Sequence, residues 1–386
     1  MIPIITMPRL MAVGGGAVAE LPGILQRLGL TRPLVVTDPF LLRSGHLERV
    51  TKMLDDTGLP RRVFSDTVAD PTTAVVETGT RRLAEDSYDS LVAVGGGSSI
   101  DTAKAMSVLA ANGGRIRDYK VPAEIPKAGP PVVAIPTTAG TGSEVTRFTV
   151  ITDTETDEKM LIAGLACCPL AAIVDYELTL TMPLRLTADT GLDSLTHAIE
   201  AYVSRRANPF PDGLAKSAMG LIARHIRTAC GEPDNRTARE AMMLGATTAG
   251  MAFSNASVAL VHGMSRPIGA FFHVPHGLSN AMLLPEITAF SAPAALERYA
   301  ECARAMGIAE VEEGSQAAVA RLLDELRRLN EDLKVPTPRA WGIDAARYEE
   351  LLPVMASQAL ASGSPANNPR VPTSDEIIDL YRRVYA

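Results

Sequence analysis

Asp193 and His197 stand four residues apart in the stretch Thr190-Gly-Leu-Asp-Ser-Leu-Thr-His-Ala-Ile-Glu200. Leu192, Leu195 and Ile199 give this stretch a helical apolar stripe, so the aspartate and the histidine project from one face within reach of a single ion. Two further histidines follow beside glycines, His262 in Val261-His262-Gly263 and His276 in Pro275-His276-Gly277. Three imidazoles and one carboxylate make a mixed N/O set suited to a first-row divalent ion, with a position left for a substrate oxygen. Taken singly, each histidine equally suits a satisfied core or surface role, and spacing along the chain does not establish convergence in space. His46, His225 and His273 lack a carboxylate at helical ligand spacing and read as surface or outlying residues. Among these, His273 lies closest to the set, three residues before His276. Glu200 continues the Asp193–His197 face, either orienting a ligand or serving as a helix-surface charge.

Two glycine clusters compete for a phosphate-binding role. Gly14-Gly15-Gly16-Ala17-Val18-Ala19 fits the loose form G-x-G-x-x-A, and Asp38 ends the next strand, where a dinucleotide fold places its ribose carboxylate. Gly95-Gly96-Gly97-Ser98-Ser99-Ile100-Asp101 follows a better strand and opens a better helix, so backbone N–H groups and the helix dipole favour a pyrophosphate there. The first cluster reads equally as a structural turn; the second favours phosphate. A third polar turn, Pro136-Thr137-Thr138-Ala139-Gly140-Thr141-Gly142-Ser143-Glu144, suits a ligand crevice or a plain capping loop.

The elements that must carry these residues change character midway. Short apolar runs at Pro33–Asp38, Ser90–Val94, Pro131–Pro136 and Leu170–Asp175 show little alternation, as strands buried on both faces of a parallel sheet do. Helical patterns at Ala17–Leu28 and Ser99–Leu109 alternate with them, which implies an α/β domain over residues 1–182. Beyond Met182, Ala/Leu/Met-rich segments at Thr190–Val203, Gly213–Cys230, Ala238–Met251, Pro293–Met306 and Ser315–Leu329 predict an all-helical domain over residues 183–386. A short final helix follows the loop-rich stretch that begins at Ser362.

The 386 residues are 46% hydrophobic and 21% charged with a net charge of −7, which excludes a disordered chain and argues against a nucleic-acid binder. No apolar run approaches the roughly 18 residues of a membrane span, and the N-terminus lacks the form of a signal peptide. The four cysteines, without any C-x-x-C pair, read as reduced thiols in a cytoplasmic protein.

Taken together, Gly95-Gly-Gly-Ser-Ser-Ile-Asp-Thr-Ala-Lys104, the Pro136–Glu144 turn, Thr190–Tyr202, Val261-His-Gly-Met and Pro275-His-Gly277 resemble the iron-containing (group III) alcohol dehydrogenase family over nearly the whole chain. The resemblance implies a Rossmann-like parallel-sheet domain followed by an all-helical metal domain, the dehydroquinate synthase-like fold. It implies Fe2+, or Zn2+, held by Asp193, His197, His262 and His276. It places NAD(P) phosphates on the Gly95, Gly96, Gly97 and Ser98 turn with Asp101 in the same motif, and Thr137 and Thr138 near the cofactor's middle. Lys159 corresponds to the family lysine, and Leu178 lines the nicotinamide side. Gly14–Gly16 then becomes an N-terminal turn. Asp38 is similar to the acidic residue beside the adenine ribose, where a carboxylate favours NAD over NADP. Small alcohols or aldehydes are the implied substrates, and a homodimer or higher homo-oligomer the implied assembly.

One position departs from the family. Where many members carry a histidine linked to proton transfer, four residues after the first loop ligand, this chain has Arg266. A guanidinium is a poor proton shuttle. Either His273, ribose hydroxyls or water then carries the proton, or Arg266 pairs with an anionic group of an acidic aldehyde or semialdehyde; a structural or cofactor-contacting arginine is the plainer alternative. Phe253 lines an apolar substrate pocket or is simply core. A glycerol-dehydrogenase-like polyol enzyme, a dehydroquinate-synthase-like lyase and a non-catalytic nucleotide- or metal-binding protein are the rival readings.

Overall fold

The computed structural model describes residues 2–45, 47–60, 62–156 and 158–386; His46 lies outside the described residues. The chain forms two compact units, one of residues Ile5–Thr181 and one built on Met182–Ala386.

The first unit carries strands β1 (Leu10–Val13), β2 (Pro33–Val36), β3 (Val63–Phe64), β4 (Ser90–Gly95), β5 (Val132–Pro136), β6 (Phe148–Asp153), β7 (Glu158–Ala163) and β8 (Ala171–Val174). Its helices are α1 (Leu21–Leu28), α2 (Pro39–Arg43), α3 (Glu48–Asp56), α4 (Thr73–Ala84) and α5 (Gly97–Asn112). Six strands form one parallel sheet in the order β1-β8-β5-β4-β2-β3. The non-alternating apolar runs follow from burial on both faces. Val35, Val92, Val94, Val133 and Ile135 pack with α1 and α3, while Leu34, Val36, Leu91, Ala93 and Ala134 pack on the other face with Ile100, Ala103 and Met106 of α5.

Two short strands, β1 and β3, and the antiparallel β6–β7 hairpin add to the four strands anticipated. Ala17–Leu28 is a 3-10 turn (Ala17–Glu20) leading into α1 rather than one helix, because the entry is tied down by Asp175, as described below.

The chain leaves β2 for β3 on one side and returns to β4 on the other. That reversal makes the C-terminal ends of β2 and β4 a topological switch point, where open α/β sheets bind ligands. Asp38 and Gly95–Gly97 occupy those two neighbouring ends, since Val36 is paired with Ala93.

The second unit is helical: α6 (Leu184–Val203), α7 (Pro209–Gly231), α8 (Arg236–Asn255), α9 (Leu260–Phe272), α10 (His276–Ser291), α11 (Leu296–Ala305), α12 (Ser315–Asp332), α13 (Pro338–Trp341), α14 (Ala345–Ala361) and α15 (Ser374–Tyr385). Helix α6 is buried on nearly every face from Thr187 to Val203 and packs against α7, α8 and α10. A helix surrounded in this way is the rigid place on which to build a site. No single helix among the described residues is long and apolar enough to cross a membrane.

Candidate metal centre and nucleotide edge

Asp193 and His197 on α6, His262 on α9 and His276 at the start of α10 converge, each offering one ligand atom, with all four atoms within 4.8 Å of one another. Asp193 Oδ1 lies 3.5 Å from His262 Nε2 and 3.6 Å from His276 Nε2, and its Oδ2 lies 4.0 Å from His197 Nδ1. Tetrahedral ligands on bonds of about 2.1 Å stand about 3.4 Å apart, so these separations are those of a shell ready to close on one ion. Burial raises the cost of the Asp193 charge, but the three imidazoles outweigh it and hold the carboxyl well below the usual range. Asp193, His197 and His262 are buried, whereas the His276 side chain is 38% exposed. The shell is therefore open on the His276 side.

Other side chains hold the ligands in place. Glu200 accepts from His262 Nδ1 at 2.6 Å and from the backbone N–H groups of Val261 at 2.6 Å and Ala259 at 2.9 Å. It thereby fixes both the first turn of α9 and the imidazole tautomer that turns Nε2 toward Asp193. Burial opposes charging His262, yet the Glu200 and Asp193 carboxylates hold its pKa above the ordinary value. Phe253 of α8 stacks on His197 at 4.2 Å, and His262 stacks on the same imidazole at 4.4 Å. The Asn280 amide, one turn after His276, donates to Asp193 Oδ1 at 2.7 Å and lies 3.1 Å from His262 Nε2 and 3.3 Å from His276 Nε2. Three of the four ligand atoms thus already point at one electropositive group.

At the switch point of the sheet, Gly96 caps α5 and Gly97 opens it. A Cβ at Gly97 would lie 2.8 Å from Thr141 Cγ2, and one at Gly95, where φ is +151°, would lie 2.4 Å from Ser99 Oγ. The glycines let this turn run flush against the turn after β5, and Thr137 N–H donates to Gly95 O at 3.0 Å. Asp38 caps α2 by accepting from Leu41 N–H through Oδ1. The rival cluster is differently used: Gly16 N–H and Val18 N–H both donate to the Asp175 carboxylate at 3.1 Å. A carboxylate already held by that turn repels a phosphate, whereas no such carboxylate is bound at the Gly95–Gly97 turn among the described residues.

Two family models match the chain, iron-containing alcohol dehydrogenase over residues 8–176 and the C-terminal part of the Fe-containing alcohol dehydrogenase family over residues 187–385. This chain belongs to the iron-containing alcohol dehydrogenase family. It is 38% identical to the NAD-dependent methanol dehydrogenase of Bacillus methanolicus, over 97% of this chain and 98% of that one. It is 37% identical to the lactaldehyde reductase of Escherichia coli K12, over 96% and 97% of the two chains. Among solved structures, that of a 1,3-propanediol oxidoreductase superposes with a TM-score of 0.95 at 34% identity, each chain covered completely. The donor set fits the family's metal: three imidazole nitrogens and one anionic oxygen, three of the four residues buried, spaced for a first-row divalent ion.

Other residues that the sequence of this iron-containing dehydrogenase singles out have neighbours of their own. Asp101 does not face the phosphate turn. It accepts from Ser143 Oγ and Val150 N–H, and buried Lys104 beside it donates to Ser143, Thr146 and Phe148. The pair clamps α5 to the loop after β5 and to the hairpin. Lys159, on β7, pairs with Asp70 at 2.7 Å. Leu178 packs on the core beneath the sheet. His273 is exposed, in left-handed conformation at the end of α9.

Asn280 was not anticipated from sequence, although its position four residues after His276 on one helix is a signal of the same kind as Asp193–His197. Glu200 gives the first test. Glu200→Gln is expected to lower metal affinity about 10- to 100-fold by loosening His262. Competition with a chelator, followed by metal analysis, measures it; unchanged retention would show that His262 needs no orienting carboxylate.

Proposed function

We propose that this chain catalyses NAD-linked hydride transfer between a short primary alcohol and its aldehyde, with Fe2+ at Asp193, His197, His262 and His276. The observation that carries the reading is the convergence of those four ligand atoms at one largely buried point. When bound, the ion supplies Lewis acidity toward the alcohol or carbonyl oxygen and brings the alcohol's pKa toward neutrality. Zinc suits the same donors, and the family's iron favours Fe2+.

The chain's own residues supply the rest. Glu200 fixes the His262 tautomer, and Phe253, stacked on His197, shields that imidazole and lines the substrate pocket. Gly95, Gly96, Gly97 and Ser98 offer a pyrophosphate the N-terminus of a 16-residue helix. Thr137 and Thr138 take the middle of the cofactor, Leu178 lines its nicotinamide side, and Lys159 is the family lysine that binds the cofactor. Asp38 keeps one carboxylate oxygen for a ribose hydroxyl while its charge repels a 2′-phosphate, which selects NAD over NADP. Ribose hydroxyls, water and His273, the exposed imidazole at the end of α9, are the routes for the proton. The named relatives, a methanol dehydrogenase and a lactaldehyde reductase, support a small alcohol or aldehyde. Four free thiols support a reducing, cytoplasmic setting, and the family resemblance supports a homodimer or higher homo-oligomer.

Anaerobically prepared, iron-replete protein is expected to form NADH from C1–C4 primary alcohols and propanediols, with NAD preferred over NADP. Absorbance at 340 nm measures it. Absence of turnover across alcohols and aldehydes, with one metal per chain, would overturn the proposal.

A further inference from the structure

We infer that Arg266 is an anion subsite of the substrate pocket, so that the preferred aldehyde carries a carboxylate, sulfonate or phosphonate a few carbons from its carbonyl. The inference rests on the dehydrogenase reading above and names its substrate class.

Arg266 follows His262 by four residues on α9. It therefore lies on the face of that helix which presents the ligand, about 6 Å further along. It is partly buried and makes no hydrogen bond or ion pair among the described residues. Every other buried or partly buried arginine of the helical unit is held. Arg185 pairs with Asp189, Arg227 with Glu325 and Asp332, Arg298 with Asp212, and Arg304 with Glu301. Arg239 donates to Thr187 Oγ1 and Pro233 O. Arg266 alone among them keeps its five N–H donors unused, on a side chain that solvent still reaches.

The nearby carboxylates do not satisfy it. Burial lowers the Arg266 pKa and the Glu200 charge raises it in part, but arginine remains protonated across the physiological range. Both oxygens of Glu200 are spent on His262, Ala259 and Val261. Asp193 faces the imidazoles. With a divalent cation in the shell, Asp193 and Glu200 together balance the ion and nothing balances Arg266. A guanidinium held at such a point binds an oxoanion through paired N–H donors. A separation of one helical turn from the ligand histidine matches a short chain of one to three carbons between carbonyl and anion.

The reaction balances without a new co-reactant. Hydride leaves C4 of NADH and forms the new C–H bond at the carbonyl carbon, the carbonyl oxygen takes a proton from water, and NADH is oxidised to NAD. The product is the corresponding hydroxy acid, hydroxysulfonate or hydroxyphosphonate.

The test compares iron-replete enzyme on matched pairs: succinic semialdehyde against butanal, and sulfoacetaldehyde and phosphonoacetaldehyde against propanal. The wild type is expected to favour the anionic members in kcat/KM, chiefly through KM, and the order among the three anions identifies the headgroup. In Arg266→Met the anionic-to-neutral ratio is expected to fall on the order of 100-fold, with Arg266→Lys recovering part of it. A wild type that prefers the neutral members overturns the subsite and leaves the dehydrogenase standing. A variant that keeps the ratio but raises the KM for NADH makes Arg266 a cofactor contact and also overturns it. No reduction of any member by metal-replete enzyme defeats the dehydrogenase reading itself. The wild-type panel decides the question even where a variant fails to fold.

Discussion

Asp193→Asn is expected to purify as a folded protein that retains little metal and turns over more than about 1,000-fold slower than the wild type. The substitution keeps the shape of the side chain and removes the only anionic ligand of the four. Three imidazoles already hold Asp193 ionised against the cost of its burial, so in the native protein the position is committed to negative charge. A neutral amide gives up that attraction at bonding distance from a divalent ion, in an environment where water screens poorly. The loss should therefore exceed the 10- to 100-fold expected of Glu200→Gln, which leaves every ligand present and loosens only one. Metal per chain, circular dichroism and NADH formation on the same sample separate the effects. A variant with one tightly held metal and a tenth of wild-type activity would place the ligand shell elsewhere.

The two site-bearing regions were legible in sequence to different depths. Asp193 and His197 could be paired because one helix fixes their spacing. His262 and His276 could not, because their convergence depends on α9 and α10 packing against α6. Their helical character is further obscured by Pro267 and Pro285, which sit inside α9 and α10 and break the usual pattern. Buried strands announced themselves as apolar runs, whereas β3 has two residues, too few to show a pattern. The residues alone left the two glycine clusters in contest and only the family resemblance chose between them, because Asp175 is 159 positions from the Gly16 N–H it binds and is invisible to any local reading. Asp101 shows the converse, a position whose partners the motif does not reveal. It belongs to the phosphate motif by position, but one helical turn inward it faces Lys104, Ser143 and Val150. Arg266 was visible only as a departure from the family; that it makes no hydrogen bond or ion pair among the described residues is a property of the fold.

The second large effect concerns a residue with no chemistry of its own. Gly277→Ala is expected to cost at least about 100-fold in metal affinity and about 1–3 kcal/mol in stability. A Cβ at Gly277 would stand 2.3 Å from the backbone oxygen of Asp189, 2.8 Å from its carbonyl carbon and 3.2 Å from the Asp193 Cβ. The first two obstacles are backbone of α6, one turn before the ligand aspartate, and no rotamer change relieves them. The helices must separate, and the residue next to Gly277 is His276, whose Nε2 now sits 3.6 Å from Asp193 Oδ1. Movement of α10 by the required distance opens the shell on its already exposed side. A control isolates this cause. Gly213, within α7, has nothing within 4 Å of a built Cβ, so Gly213→Ala should stabilise the protein by roughly 0.4–1 kcal/mol and leave metal binding unaltered. Urea unfolding of the two variants should move in opposite directions, and chelator competition should weaken in Gly277→Ala alone. Equal behaviour would mean that close approach of α10 to α6 does not set the position of His276.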